Sequence, residues 1–188
     1  MSLLRPLVAV AALHAVLLIA IVGYELFVIT SSSLKYAVAR PDITKTMRAA
    51  QFTEFGNASV VKLESIAQPA CCLPGQVLVR VHAGALNPVD FKQRRNPAPS
   101  MLRPLPSVSG FDFSGVVEEV GRAVAGLPVG SAVFGMLPLL GHRWGAFQEF
   151  VVVDASIIAL APKSVPLREA ASLPLVGLTV VHALDPVI

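Results

Sequence analysis

Hydrophobic residues are distributed along this chain in two regimes. From Leu7 to Ile29 the sequence LVAVAALHAVLLIAIVGYELFVI is apolar throughout, broken only by His14 and Glu25. As a helix it would reach about 34 Å at 1.5 Å per residue, enough for a hydrocarbon layer of roughly 30 Å. The pattern predicts a signal-anchor or transmembrane helix over residues 1–29. Arg5 precedes the run, whereas Lys35, Arg40, Lys45 and Arg48 follow it, a bias that places the rest of the chain on the cytoplasmic side. A second reading stays open: Ala37-Val38-Ala39 has the small-x-small form of a signal peptidase site, so that cleavage near Ala39 would give a secreted product. Residues 30–46, rich in Ser, Lys, Arg and Pro, read as a linker.

After Met47 the long apolar run gives way to short ones separated by Gly and Pro. Arg48–Phe52, Val60–Ser65, Gln76–Ala85, Phe113–Val120, Ala132–Met136 and Phe147–Val153 are strand candidates. The third, QVLVRVHAGA, sets Val77, Val79 and Val81 against Leu78, Arg80 and His82 at period two. Pro74-Gly75 supplies the turn before it. Asn87 followed by Pro88 predicts a helix start, with further short helices near Leu167–Ser172 and over Leu175–Leu184. Many short strands at close spacing predict a mainly β domain over residues 47–184, a closed or partly open barrel with short helices.

Composition narrows the function classes. The chain of 188 residues is 54% hydrophobic and 14% charged, with a mean hydropathy of +0.68, which excludes a disordered chain. A net charge of +3, scattered along the sequence, argues against a nucleic-acid partner. Cys71 and Cys72 are adjacent, leaving neither a disulfide framework nor a CxxC metal site. His14, His82, His142 and His182 are too dispersed for a ligand set, and no GxSxG, HExxH, Walker A or GxGxxG sequence occurs.

One ordered constellation stands out. Asn87-Pro88-Val89-Asp90-Phe91-Lys92 is followed by Pro106, by Gly110-Phe111-Asp112-Phe113-Ser114-Gly115, and by Gly121, Gly130 and Gly135. Gly145-Ala146-Phe147-Gln148-Glu149-Phe150, Ala170-Ala171-Ser172-Leu173-Pro174 and Gly177-Leu178-Thr179 complete it. In this order the motifs resemble the N-terminal, GroES-like catalytic domain of the medium-chain dehydrogenase/reductase superfamily, in its zinc-free quinone oxidoreductase and alkenal/enone reductase branch. The resemblance implies a partly open GroES-like barrel and reduction of a small-molecule enone or quinone by hydride from NADPH. By the same resemblance Asn87, Asp90 and Lys92 are the candidate catalytic residues, and Asn87 and Thr179 the candidate cofactor contacts. Metal ligands are not expected: the zinc enzymes carry a Cys where Asn87 stands and Gly-His-Glu where this chain has Gly110-Phe111-Asp112. His142 and Trp144 lie in a stretch that could flank a substrate cleft, whereas Arg94 and Arg95 read as a solvated helix face.

The sequence also departs from the family pattern. No tyrosine follows in Gln93-Arg94-Arg95-Asn96-Pro97, where several enoyl reductases carry a proton donor, and Gly130-Ser131-Ala132-Val133 replaces the usual Gly-Asp-x-Val. The glycine-rich turn of a coenzyme-binding Rossmann domain does not occur before Ile188. The expectation is therefore the catalytic half of such a reductase, with residues 185–188 a truncated tail; the alternative is a membrane-tethered, non-catalytic GroES-like binding module. In either case the apolar segment Leu175–Leu184 is expected to promote self-association.

Overall fold

A computed structural model describes residues 41–95, 104–139 and 144–184, all within the unit spanning residues 38–188. The strands are β1 (Pro41–Phe52), β2 (Lys62–Pro69), β3 (Gln76–Ala85), β4 (Ser107–Val108), β5 (Asp112–Val120), β6 (Ala132–Met136), β7 (Phe150–Asp154) and β8 (Ile158–Leu160). Three helices accompany them: α1 (Pro88–Arg95), α2 (Leu167–Ala170) and α3 (Pro174–Leu184). Pairing is antiparallel, in a three-stranded sheet of order β2-β1-β4 and a five-stranded sheet of order β7-β3-β5-β6-β8.

The five-stranded sheet holds the core. β3 lies between β5 and β7, and its first four residues are buried on both faces; alternation begins only at Arg80, where the strand leaves the centre of the sheet. Val77, Val79, Phe111, Phe113, Val117, Val133, Leu137, Val151 and Val153 pack together beneath it. β5 splits by parity. Phe113 and Val117 join the core, whereas Asp112 and Ser114, both fully buried, turn to the segment that carries α2 and α3. Ser114 Oγ donates to the Leu167 carbonyl at 2.5 Å, and the Leu175 N–H donates to Asp112 Oδ1 at 3.1 Å. Polar residues on a buried strand face thus dock the helical segment through its backbone groups.

Neither sheet closes on itself, so the closed alternative of the sequence reading is corrected. Gly145-Ala146-Phe147-Gln148 runs between the two sheets. This segment, expected to begin a strand at Phe147, instead bridges the two sheets: the Ala50 N–H donates to Phe147 O at 2.8 Å, the Phe147 N–H donates to Ser109 O at 2.9 Å, and Ala49 pairs with Gln148. Regular pairing in β7 starts only at Phe150. Gly145 is required there, because a Cβ on it would lie 2.1 Å from the Ser109 carbonyl oxygen.

Two boundary expectations change as well. β1 begins at Pro41, inside the segment read as linker, because Pro41 and Asp42 pair with Pro69 and Gln68 before an irregularity that ends at Thr46. The expected membrane anchor and its cytoplasm-facing placement are not supported by the structure. Among the described residues no helix is long and apolar enough to cross a membrane. The segment 7–29 itself, with the alternative cleavage point near Ala39, lies outside them.

Candidate functional site

The site is built where β3 ends and α1 begins. Asn87 immediately precedes Pro88, and the chain turns there because the Asp90 carboxylate accepts the Asn87 backbone N–H at 2.6 Å while the Asp90 N–H donates to Asn87 O at 3.0 Å. A carboxylate at the third helical position reaching back to the residue before the helix is one half of a capping box. The other half is absent: the Asn87 side chain does not cap the helix, as its type suggests, but donates through Nδ2 to Asp112 Oδ2 at 2.9 Å. Asn87 and Asp90 are both more than nine-tenths buried.

Asp112 is the centre of this group. One carboxylate oxygen receives the Asn87 amide and the other the first available N–H of α3, that of Leu175. Burial pushes its pKa up from 3.8 to about 6 against the opposing effect of these two donors, and the neighbouring charge of Asp90 adds to the rise. One buried carboxyl thus links the start of α1 to the start of α3.

The other sequence candidates are less closely joined. Thr179 lies one turn along α3 from Leu175, exposed, with its hydroxyl donating to the Leu175 carbonyl at 2.7 Å. Its proton is committed to the helix, and its oxygen remains an acceptor. Lys92 is exposed and outside the hydrogen-bonded group; the buried side of α1 carries Asp90 and Gln93, and Gln93 donates to Leu139 O at 2.8 Å. Arg94 donates to Asn57 O and Arg95 lies over the Phe91 ring, in keeping with a surface role. Trp144 is half-buried, and His142 falls outside the described residues. The sequence reading gave Asp112 no role, although a carboxylate between Phe111 and Phe113 in an otherwise apolar strand start was a usable signal.

The donor set suits a nicotinamide carboxamide, since Asn87 retains Oδ1 and one N–H beyond its bond to Asp112. Among the described residues no three His, Cys, Asp or Glu side chains gather as metal ligands. Cys71 and Cys72, their sulfurs in mutual contact, border a separate cleft with Leu73, Pro74, Glu119 and Arg122.

The two antiparallel sheets, the bridging Gly145 segment and the Asn-Pro-x-Asp helix start define an alcohol dehydrogenase-type GroES-like domain, and residues 73–163 match the model of the "Alcohol dehydrogenase GroES-like domain". The chain belongs to the medium-chain dehydrogenase/reductase superfamily, with relatives among its quinone and alkenal oxidoreductases. It is 39% identical to a 2-methylene-furan-3-one reductase of Solanum lycopersicum, over 76% of this chain and 38% of that protein. It is 37% identical to a chloroplastic NADPH-dependent alkenal/one oxidoreductase of Arabidopsis thaliana, over 78% of this chain and 39% of the relative. Among solved structures, the quinone oxidoreductase of Coxiella burnetii superposes with a TM-score of 0.69 at 36% identity, covering 76% of this chain and 45% of that one. The chain spans about two fifths of the length of these curated relatives.

Proposed function

We propose that this chain provides the substrate-side half of a zinc-independent, NADPH-dependent reductase of quinones or α,β-unsaturated carbonyls. The observation that carries the reading is the buried Asn87–Asp112 pair, which fixes an amide at the start of α1 and ties it to α3. NADPH, when bound, would supply the hydride. Asn87 would hold the carboxamide of the nicotinamide through its free acceptor and donor, and Thr179 would accept a hydrogen bond on the same side. Asp90 holds the Asn87 backbone in place. Lys92, exposed on α1, would reach the substrate oxygen and stabilise the charge that develops on it as hydride arrives at the β-carbon. The residue types favour a mechanism without zinc, because Asn87 and Phe111 offer neither thiolate nor imidazole. We further propose that the exposed apolar row Val176, Val180, Val181 and Leu184 supports self-association of the chain.

The test is titration of the purified 188-residue chain with NADPH and with NADH, followed by cofactor fluorescence, with an enone and a quinone added in separate runs. Saturable NADPH binding, weakened about tenfold in Asn87→Ala, is expected for the loss of one buried hydrogen bond. Lys92→Ala should lower the rate of enone reduction and leave NADPH affinity unchanged. Absence of binding by either nucleotide at millimolar concentration would overturn the cofactor role given to Asn87 and Thr179, and absence of enone and quinone binding as well would overturn the substrate-side reading.

A further inference from the structure

We infer that Asp112 sets which end of the Asn87 amide faces the site, so that one proton on a buried carboxyl exchanges a hydrogen-bond acceptor for a donor there. An ionised carboxylate only accepts. Asn87 must therefore turn Nδ2 toward Asp112 Oδ2, as the 2.9 Å contact shows, and this leaves Asn87 Oδ1 as the acceptor presented to a ligand.

The other carboxylate oxygen is already taken. Leu175 donates to Asp112 Oδ1 at 3.1 Å, and this donor cannot be reversed because it is a backbone N–H. A proton added to Asp112 consequently sits on Oδ2, facing Asn87. Two donors would then oppose each other across a buried contact, an arrangement that costs a hydrogen bond. Rotation of the Asn87 amide by half a turn relieves this: its Oδ1 accepts the Asp112 proton, and Nδ2 swings to the ligand side. No backbone movement is needed, and no other bond in the group has to change.

The surroundings of Asp112 place this event in a usable pH range. β3 sets Ala85 opposite it and β6 sets Met136, neither of which carries charge. α3 contributes the Leu175 amide and α1 contributes Asp90, whose charge opposes ionisation of Asp112. Burial against these neighbours raises the pKa of Asp112 to about 6. Near neutral pH both orientations of the Asn87 amide are within reach.

The orientation of the amide stands on this geometry alone; its consequence for a ligand rests on the reading of Asn87 in the proposed function. The experiment separates the two. In the full chain, the side-chain amide resonances of Asn87 are followed by NMR from pH 4.5 to 8. A single transition with a midpoint near 6 is expected, absent in Asp112→Asn and shifted to lower pH in Asp90→Asn. As a measurement on a second variant, the Asp112 carboxyl carbon in Asn87→Ala should titrate at higher pH than in the parent, because a donor that favours the charged form has been removed. An Asn87 amide that does not respond to pH, or a transition that survives in Asp112→Asn, would overturn the coupling. NADPH affinity that ignores the midpoint while the amide titrates would instead overturn the ligand role of Asn87.

Discussion

The Asp90 carboxylate accepts the backbone N–H of Asn87 at 2.6 Å, so the residue that opens the helix and the third residue within it hold each other. This contact accounts for Asp90 without any chemistry. It satisfies a buried N–H at the entrance to α1 and places a negative charge in the first turn, where the helix dipole favours it. Asp90→Ala should therefore cost about 1–2 kcal/mol of stability. Urea unfolding of the two proteins measures the difference; equal midpoints would mean that the contact contributes nothing.

Stability should also depend on pH through Asp112. Its folded pKa of about 6 lies above the ordinary 3.8, so between these values the native state binds more protons than the unfolded chain. Stability from this group therefore falls as pH rises from about 4 to 6, by up to about 3 kcal/mol. Glu149 acts in the opposite sense, since its bonds from the Arg48 N–H and guanidinium lower its pKa and are lost on acidification. That pair is exposed and contributes less. In Asp112→Asn the falling slope should disappear, which unfolding curves at pH 4, 5, 6 and 7 would detect; a slope identical to the parent's would refute the assignment.

Much of the fold was legible in sequence because its strands obey local rules. QVLVRVHAGA forms β3 over the predicted residues, and Pro88 opens α1 as its fixed φ requires. Elements set by long-range pairing were not legible. β4 is two residues long, too short for any periodicity, and exists because Gln51 and Phe52 pair with it. Phe147 has the composition of a strand residue, yet it serves a bridge between sheets that depends on Ser109 and Ala50, far away in sequence. The site shows the same division. Asn87 and Asp90 lie within one motif and were recognised together. Asp112 is 25 residues from Asn87, and its role emerges only when β5 brings them together.

Two glycines should respond in opposite ways to the same substitution. A Cβ on Gly145 would fall 2.1 Å from the Ser109 carbonyl oxygen and 2.2 Å from that of Val108, both backbone atoms that cannot move without breaking the bridge between the sheets. Gly145→Ala should destabilise the domain by several kcal/mol, on the order of a severe core substitution. Gly177 sits inside α3, and a Cβ added to it would meet nothing within 4 Å, so Gly177→Ala should stabilise by about 0.5–1 kcal/mol through helix propensity. Thermal melts of the two variants beside the parent check both signs at once.

The outer face of α3 provides the last test. Val176, Val180, Val181 and Leu184 are 54%, 48%, 51% and 78% exposed, an apolar row on a helix whose described polar side chains are Thr179 and His182. A row of this kind lowers its free energy by meeting another apolar surface, at roughly 25 cal/mol for each Å² removed from water. The anchorage of α3 through Leu175 and Asp112 lies at the other end of the helix from Leu184, so charges on the outer row should leave the fold intact. Val180→Lys combined with Leu184→Glu should shift the full chain toward monomer in sedimentation velocity and leave its far-ultraviolet dichroism unchanged. A parent chain that is monomeric at tens of micromolar would show that this face does not drive association.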